Sequence, residues 1–312
     1  MPKLPVGPVR GTVAVLLIAG NTIGHALPLL ALALVRLAVP HAAFRRRARR
    51  TLTSIAENWI TCNGWVLATT GDTRWEFRGL GGLRRGGWYL VISNHRSWVD
   101  ILALQAAFNR RVPFLKFFIK DQLRWVPVLG LAWWALDMPF MKRYSREQLA
   151  RRPELRGTDL RATRRACERF KESPTSVLNF VEGTRFTPAK RAAGGSPHRH
   201  LLTPRAGGIA FVLGALGPVL TELLDVTIVY PDGAGGFWDL CAGRVRQVVL
   251  EVERRALPAW LSEGDYVEDA AFRARFQEWL AALWRAKDER LDLVLGGAAS
   301  DAPESGDAAF RA

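Results

Sequence analysis

The chain has 312 residues, 49% of them hydrophobic, enough to build a large core as one sizeable domain or two smaller ones. Lys plus Arg number 44 against 29 Asp plus Glu, and the formal charge of +15 attracts nucleic acid, anionic lipid and phosphorylated substrates alike. The three cysteines, Cys62, Cys167 and Cys241, are far apart with no C-x-x-C pair, which argues against a zinc site or a disulfide framework and suits a reducing compartment.

Residues 12–35 are almost wholly apolar, and a helix of that length reaches about 36 Å, enough to cross a bilayer core of about 30 Å. Asn21, His25 and Pro28 interrupt the run and suit a kinked span or two short helices dipping into one leaflet. Arg45, Arg46, Arg47, Arg49 and Arg50 follow, and with Lys3 and Arg10 ahead of the run they place both flanks on the cytoplasmic side, which favours a re-entrant hairpin. The same features resemble a cleaved signal peptide, but the arginine cluster downstream opposes export. Twelve Trp residues suit a membrane interface as well as an ordinary core.

Residues 88–93 read as a buried strand bounded upstream by glycines. Trp125, Trp133 and Trp134 with Leu129, Leu131 and Leu136 form a second apolar stretch, expected in the core or in a groove for an apolar chain. Leu160, Thr163, Cys167 and Phe170 recur at helical spacing among arginines, before an apolar strand over 176–181. Residues 187–208 read as a long loop, 226–230 and 245–252 as further strands, and 271–287 as a helix with the apolar spacing Phe272, Phe276, Trp279, Leu280, Leu283. Residues 296–312 read as a disordered tail. Helix followed by strand implies an α/β fold.

Two segments carry chemistry. Residues 94–100, Asn-His-Arg-Ser-Trp-Val-Asp, follow the first strand at the start of a helix and bring His95 within reach of Asp100. An imidazole with one nitrogen held by a carboxylate has its tautomer fixed, and its other nitrogen can take a proton from a hydroxyl. Residues 180–185, Phe-Val-Glu-Gly-Thr-Arg, follow the second strand; Gly183 would let a phosphorylated ligand approach the backbone while Arg185 grips it with two hydrogen bonds.

Together these segments resemble the signatures N-H-x-x-x-x-D and E-G-T-R of the phospholipid and glycerol-phosphate acyltransferase superfamily. Residues 138–143 resemble that family's intermediate block, which ends in a substrate-binding arginine, here Arg143. Residues 120–130, from Lys120 through Pro127 to Gly130, and residues 225–231 resemble two further blocks. The resemblance implies a sheet flanked by helices with an N-terminal membrane-embedded segment. It implies that His95 deprotonates the acceptor hydroxyl, that Asp100 orients it, and that Arg143, Glu182, Gly183, Thr184 and Arg185 hold the acceptor phosphate, with Asn94, Ser97 and Lys120 in support. No metal or cofactor is implied. The acyl thioester, acyl-CoA or acyl carrier protein, is a co-substrate.

Val181 stands where the bacterial lysophosphatidate enzymes usually have proline, and Phe186-Thr187 where serine is common. This form is closer to the YihG-like bacterial branch and to eukaryotic lysophospholipid and lysocardiolipin acyltransferases. The expected acceptor is 1-acyl-glycerol-3-phosphate, with lysophosphatidylglycerol or lysocardiolipin as alternatives. The expected organisation is a membrane-anchoring segment with a basic flank over 1–50, an acyltransferase domain over 51–293 and a tail over 294–312. The expected place is the inner (cytoplasmic) membrane, against anionic lipid, with the catalytic domain in the cytoplasm. A serine hydrolase is disfavoured because no G-x-S-x-G is present. A nucleic-acid module lacks a binding motif, so no nucleic-acid partner is expected. A noncatalytic membrane-surface protein would explain charge and Trp but not the two signatures.

Overall fold

The computed structural model describes residues 7–141, 151, 167–168 and 170–300, and the side chains of these except at 141 and 297–300. In chain order the elements are helices α1 (Pro8–Ala38) and α2 (Ala42–Thr70), strands β1 (Arg74–Arg78) and β2 (Tyr89–Ser93), helix α3 (Val99–Phe108), strands β3 (Leu115–Phe117) and β4 (Ile119–Lys120), helix α4 (Leu129–Ala135), strands β5 (Phe140–Met141) and β6 (Ser176–Phe180), helices α5 (Pro188–Ala193) and α6 (Ala206–Leu216), strand β7 (Glu222–Val229), helix α7 (Phe237–Cys241), strand β8 (Gln247–Arg255) and helix α8 (Ala270–Ser300).

Every side chain of β2 is buried, as its unbroken apolar run requires. Successive residues point to opposite faces, so Leu90 and Ile92 join a core with Ile209, Leu213, Phe276 and Trp284 from α6 and α8. Tyr89 and Val91 join the other core with Val99, Leu104 and Phe108 from α3. The sheet order is β1-β8-β7-β2-β6-β3, with β7 and β8 antiparallel and the other neighbours parallel. Ser93 at the end of β2 lies opposite Phe180 of β6 and Val226 of β7, so the segments that carry the two signatures leave the sheet side by side. Ligands of open α/β sheets bind at such carboxyl ends. The α/β class expected from the sequence is the class observed.

On β7, Leu224, Val226 and Ile228 face α3, while Asp225 and Thr227 face α8. Lys287 lies in the buried stripe of α8, 1% exposed, with Nζ 2.5 Å from Asp225 Oδ1. It also donates to Val226 O at 2.6 Å and Thr227 Oγ1 at 3.1 Å. A buried ammonium is tolerable only when all three donors are used, and these partners tie α8 to β7.

Several elements differ from expectation. The apolar run forms one unbroken helix through Pro28, not two short ones, because its polar residues face α2: Asn21 Nδ2 donates to Asn63 Oδ1 at 2.8 Å and to Trp59 O at 3.0 Å, and Trp59 Nε1 donates to Thr22 Oγ1 at 3.0 Å. Leu29 and Ala33 pack on Leu52 further along, so α1 and α2 form an antiparallel hairpin. The arginine cluster opens α2, and position 50, the expected domain boundary, falls inside that helix. At 31 residues α1 spans about 46 Å, and Leu16, Leu17, Ile23, Leu27 and Leu34 on its outer face are exposed. Among the described residues it is the one helix long and apolar enough to cross a membrane.

The stretch around α4 is core only in part: Trp125 is 82% exposed, and Trp134 and Leu131 are also exposed, while Ala135 is buried with Leu29, Ala33 and Leu52, and Leu136 packs against them. The expected loop over 187–208 contains α5 and the start of α6. Helix α8 continues to Ser300, through the beginning of the expected tail. Strand β1, Arg-Trp-Glu-Phe-Arg, escaped notice because its charges suit an edge strand and mask its apolar alternation. Leu160 and Thr163 lie outside the described residues, whereas Cys167 and Phe170 are buried in the core.

Candidate active site

Where β2 ends, Asn94 continues its pairing with a side chain. Asn94 Nδ2 donates to Ile228 O at 2.9 Å, and Asn94 Oδ1 accepts from Ile228 N–H at 2.8 Å, with the residue fully buried. This clamp closes the β2–β7 ladder and lets the backbone turn away. His95 is then held by its main chain from the neighbouring segment: its N–H donates to Glu182 Oε1 at 2.9 Å, and its carbonyl accepts from Phe186 N–H at 2.7 Å. Its ring stacks on Phe180 at 4.0 Å between centroids and 15° between planes.

Asp100 lies in the first turn of α3, fully buried. Its Oδ2 is 2.7 Å from His95 Nδ1 and accepts from Arg96 N–H at 2.6 Å and Ser97 N–H at 2.9 Å. Ser97 Oγ in turn accepts from Val99 N–H at 3.1 Å, so the carboxylate also closes the helix start in the manner of a capping box. Asp100 Oδ1 accepts from Tyr230 OH at 2.5 Å. His95 therefore lies before the helix, not on its first turn, and the loop folds back to meet Asp100. An ionised carboxylate can only accept, so the hydrogen on Nδ1 points to Asp100 and Nε2 is left as the basic nitrogen. Nε2 makes no hydrogen bond among the described residues, and the side chain is 15% exposed. Ser97 Oγ, which also donates to Gly235 O at 2.5 Å, is committed to structure.

Glu182, expected to help hold phosphate, instead accepts from His95 N–H through Oε1 and from Leu202 N–H through Oε2, each at 2.9 Å. It is 1% exposed, and burial pushes its carboxyl up to about 7 against the pull of those two N–H groups and Arg96. So enclosed, with both oxygens already bonded to main-chain N–H groups, the carboxyl serves as a bracket for His95. Arg96 lies over the Phe186 ring at 4.7 Å, and burial lowers its guanidinium below the usual range.

Around the rest of the E-G-T-R segment lie three cations, Arg185, Lys190 and Arg205. Arg185 is exposed and lies over the Trp98 ring at 5.0 Å. Thr184 Oγ1 accepts from Lys190 Nζ at 2.8 Å, and Lys190 also donates to Arg185 O at 3.0 Å. Gly183 has φ +70°, and a Cβ there would meet Arg205 Cδ at 3.2 Å, so glycine makes room for the Arg205 stem. Lys190 and Arg205 were not foreseen, because a basic loop offers many cations and no spacing that selects two. Lys120 is exposed on β4, in the separate pair with β5. Arg143 lies outside the described residues. A cleft of about 170 Å³ opens between α2, β1 and α3, lined by Gly64, Leu67, Trp75, Phe77, Leu102 and Ala106.

Residues 74–230 match the Acyltransferase family model, a span that runs from β1 to Tyr230. The 1-acyl-sn-glycerol-3-phosphate acyltransferase delta of Homo sapiens is 26% identical over 152 residues, 45% of this chain and 37% of that protein. The 2-acyl-1-lysophosphatidylinositol acyltransferase of Saccharomyces cerevisiae is 24% identical over 239 residues, 65% of this chain and 60% of that protein. The chain thus spans less than two thirds of the length of these curated relatives. Among solved structures, the 1-acyl-sn-glycerophosphate acyltransferase PlsC from Thermotoga maritima shares the fold with TM-score 0.51 at 17% identity, over 90% of this chain and 97% of that one.

The raised carboxyl of Glu182 has a stability consequence. The folded state holds this proton more tightly than the unfolded chain, so its contribution is complete below about 4.5 and is lost as pH rises through about 7. The loss amounts to about 3 kcal/mol. Glu182→Gln cannot titrate, and its amide satisfies only one of the two N–H groups, an offset independent of pH. Unfolding measured from pH 5 to 8 should therefore show a smaller decline with pH in the variant; equal slopes would contradict the assignment.

Proposed function

The chain belongs to the acyltransferase family, and on that premise we propose that it moves an acyl group from a thioester to the free hydroxyl of a phosphate-bearing lysophospholipid, with His95 as general base. The observation that carries the proposal is the 2.7 Å contact of His95 Nδ1 with Asp100, which leaves Nε2 as the open basic nitrogen. As the acceptor hydroxyl attacks the thioester carbonyl, Nε2 takes its proton and Asp100 stabilises the imidazolium. The C–S bond then breaks, the imidazolium returns its proton to the leaving thiolate, and ester and free thiol are formed. Ser97 is committed elsewhere, so transfer is direct, without a covalent acyl-enzyme. Either acyl-CoA or acyl carrier protein serves as donor, and no cofactor takes part.

The acceptor phosphate binds at Arg185, Lys190 and Arg205, none of which has a carboxylate partner among the described residues; Arg143 belongs to the same expectation. Relatives named for acceptors with a glycerol-3-phosphate or inositol headgroup support a phosphate-bearing lysolipid. We favour 1-acyl-glycerol-3-phosphate, with lysophosphatidylglycerol and lysocardiolipin as alternatives of the same chemistry. The cleft beside α3 takes the acyl chain, since Leu102 and Ala106 lie within two turns of Asp100 on the same helix. The apolar face of α1 enters the inner membrane, and the arginines that open α2 meet anionic headgroups on its cytoplasmic side.

His95→Ala should lower turnover by about 10² to 10⁴-fold, the usual contribution of a positioned base, while leaving the melting transition in place. Near-normal turnover by this folded variant would remove His95 from the role of base. Arg205→Ala should raise the acceptor KM by about 10-fold for a phosphate-bearing lysolipid and leave a phosphate-free monoacylglycerol unaffected. An equal change for both acceptors would remove Arg205 from phosphate recognition. Ala106→Trp should fill the cleft and shift competition among acyl-CoAs towards shorter chains; an unchanged chain-length profile would empty the cleft of that role.

A further inference from the structure

Asp100 divides its hydrogen bonds unevenly. Three donors, His95 Nδ1, Arg96 N–H and Ser97 N–H, converge on Oδ2. Oδ1 has Tyr230 OH, 2.5 Å away and 130 residues on in the chain. Neither residue meets solvent to any extent, Asp100 at 0% and Tyr230 at 5% exposure. The Tyr230 ring belongs to the core beneath α3, with Val99, Leu104 and Ile228, so its hydroxyl reaches Asp100 from a fixed direction. Burial first, then the charge of Asp100 and their hydrogen bond, push the phenol well above the usual tyrosine range, so it stays a neutral donor.

The torsion that turns a carboxylate about its Cβ–Cγ bond is soft and roughly two-fold. Three donors on one oxygen leave that torsion to whatever holds the second oxygen, and a buried Oδ1 without a donor would swing to find one. We propose that Tyr230 is a positioning residue of the acyl transfer, whose hydroxyl pins Asp100 Oδ1 and thereby sets the direction in which Oδ2 meets His95 Nδ1. The inference rests on His95 as the base. Tyr230 makes no hydrogen bond to His95 among the described residues; it acts through Asp100.

The test uses the full chain in phospholipid vesicles. Tyr230→Phe should lower kcat by about 10- to 100-fold, the loss expected for a hydrogen bond to a charged group, with both KM values within about 2-fold of wild type. In an Asp100→Ala background the same substitution should cost nothing further, because the group it acts through is gone. Replacement of Tyr230 by 4-aminophenylalanine, which keeps the ring and a donor, should recover most of the lost kcat. An unchanged kcat in Tyr230→Phe, a loss confined to KM, equal losses in both backgrounds, or no recovery with the amino analogue would each overturn the proposal. His95→Ala run alongside separates the two readings: turnover retained there sinks the base itself, whereas turnover lost there but normal in Tyr230→Phe sinks the positioning role alone.

Discussion

A carboxylate at zero exposure must find donors for both oxygens, and how Asp100 finds them organises this end of the molecule. It takes them from the loop before α3, from the imidazole and from the end of β7. One group thus starts a helix, sets a histidine tautomer and joins a loop to a strand distant in sequence. The same logic holds on the other side of His95, where buried Glu182 joins the His95 and Leu202 main chains. His95 is held between two buried carboxyl groups, one facing its ring and one its backbone, and only its Nε2 edge is left open.

The sheet makes these meetings possible. Parallel pairing of β2 with β6 and β7, with Ser93 level with Phe180 and Val226, brings the segments after β2 and β6 side by side and sets the end of β7 beneath them. Asn94 closes that edge with two hydrogen bonds to Ile228, and Lys287 locks α8 onto β7 through Asp225 on the opposite face. Rigidity in the sheet is what lets a loop residue such as His95 be placed with accuracy.

The fold class and the dyad were legible in the sequence because they depend on local signals: buried strands read as apolar runs, and His95 and Asp100 are five residues apart. What was missed depends on distance in the chain. Glu182 was placed at the phosphate by the family resemblance alone; only the approach of the Leu202 and His95 N–H groups shows that its carboxylate already has partners. Tyr230 is only the last residue of the strand expected over 226–230, and nothing local to it points to its bond with Asp100, 130 residues away in the chain. In α1, Asn21 was taken for a break, although a polar residue in an apolar helix can equally mark a partner helix, here through Asn63. Trp125 and Trp134, expected in a core or an acyl-chain groove, are exposed, a difference that apolar composition alone does not reveal.

The central claim is that Asp100 fixes His95 in the tautomer whose Nε2 is free of hydrogen. Nitrogen NMR of the protein labelled with ¹⁵N-histidine in bilayers measures this directly, with the His95 resonances identified among the five histidines by their loss in His95→Ala. In the resting protein above the imidazolium range, the account predicts a protonated Nδ1 and an Nε2 at the chemical shift of a bare imidazole nitrogen. A hydrogen on Nε2 in that state would contradict it, because the nitrogen that faces the acceptor would then have no lone pair to take its proton.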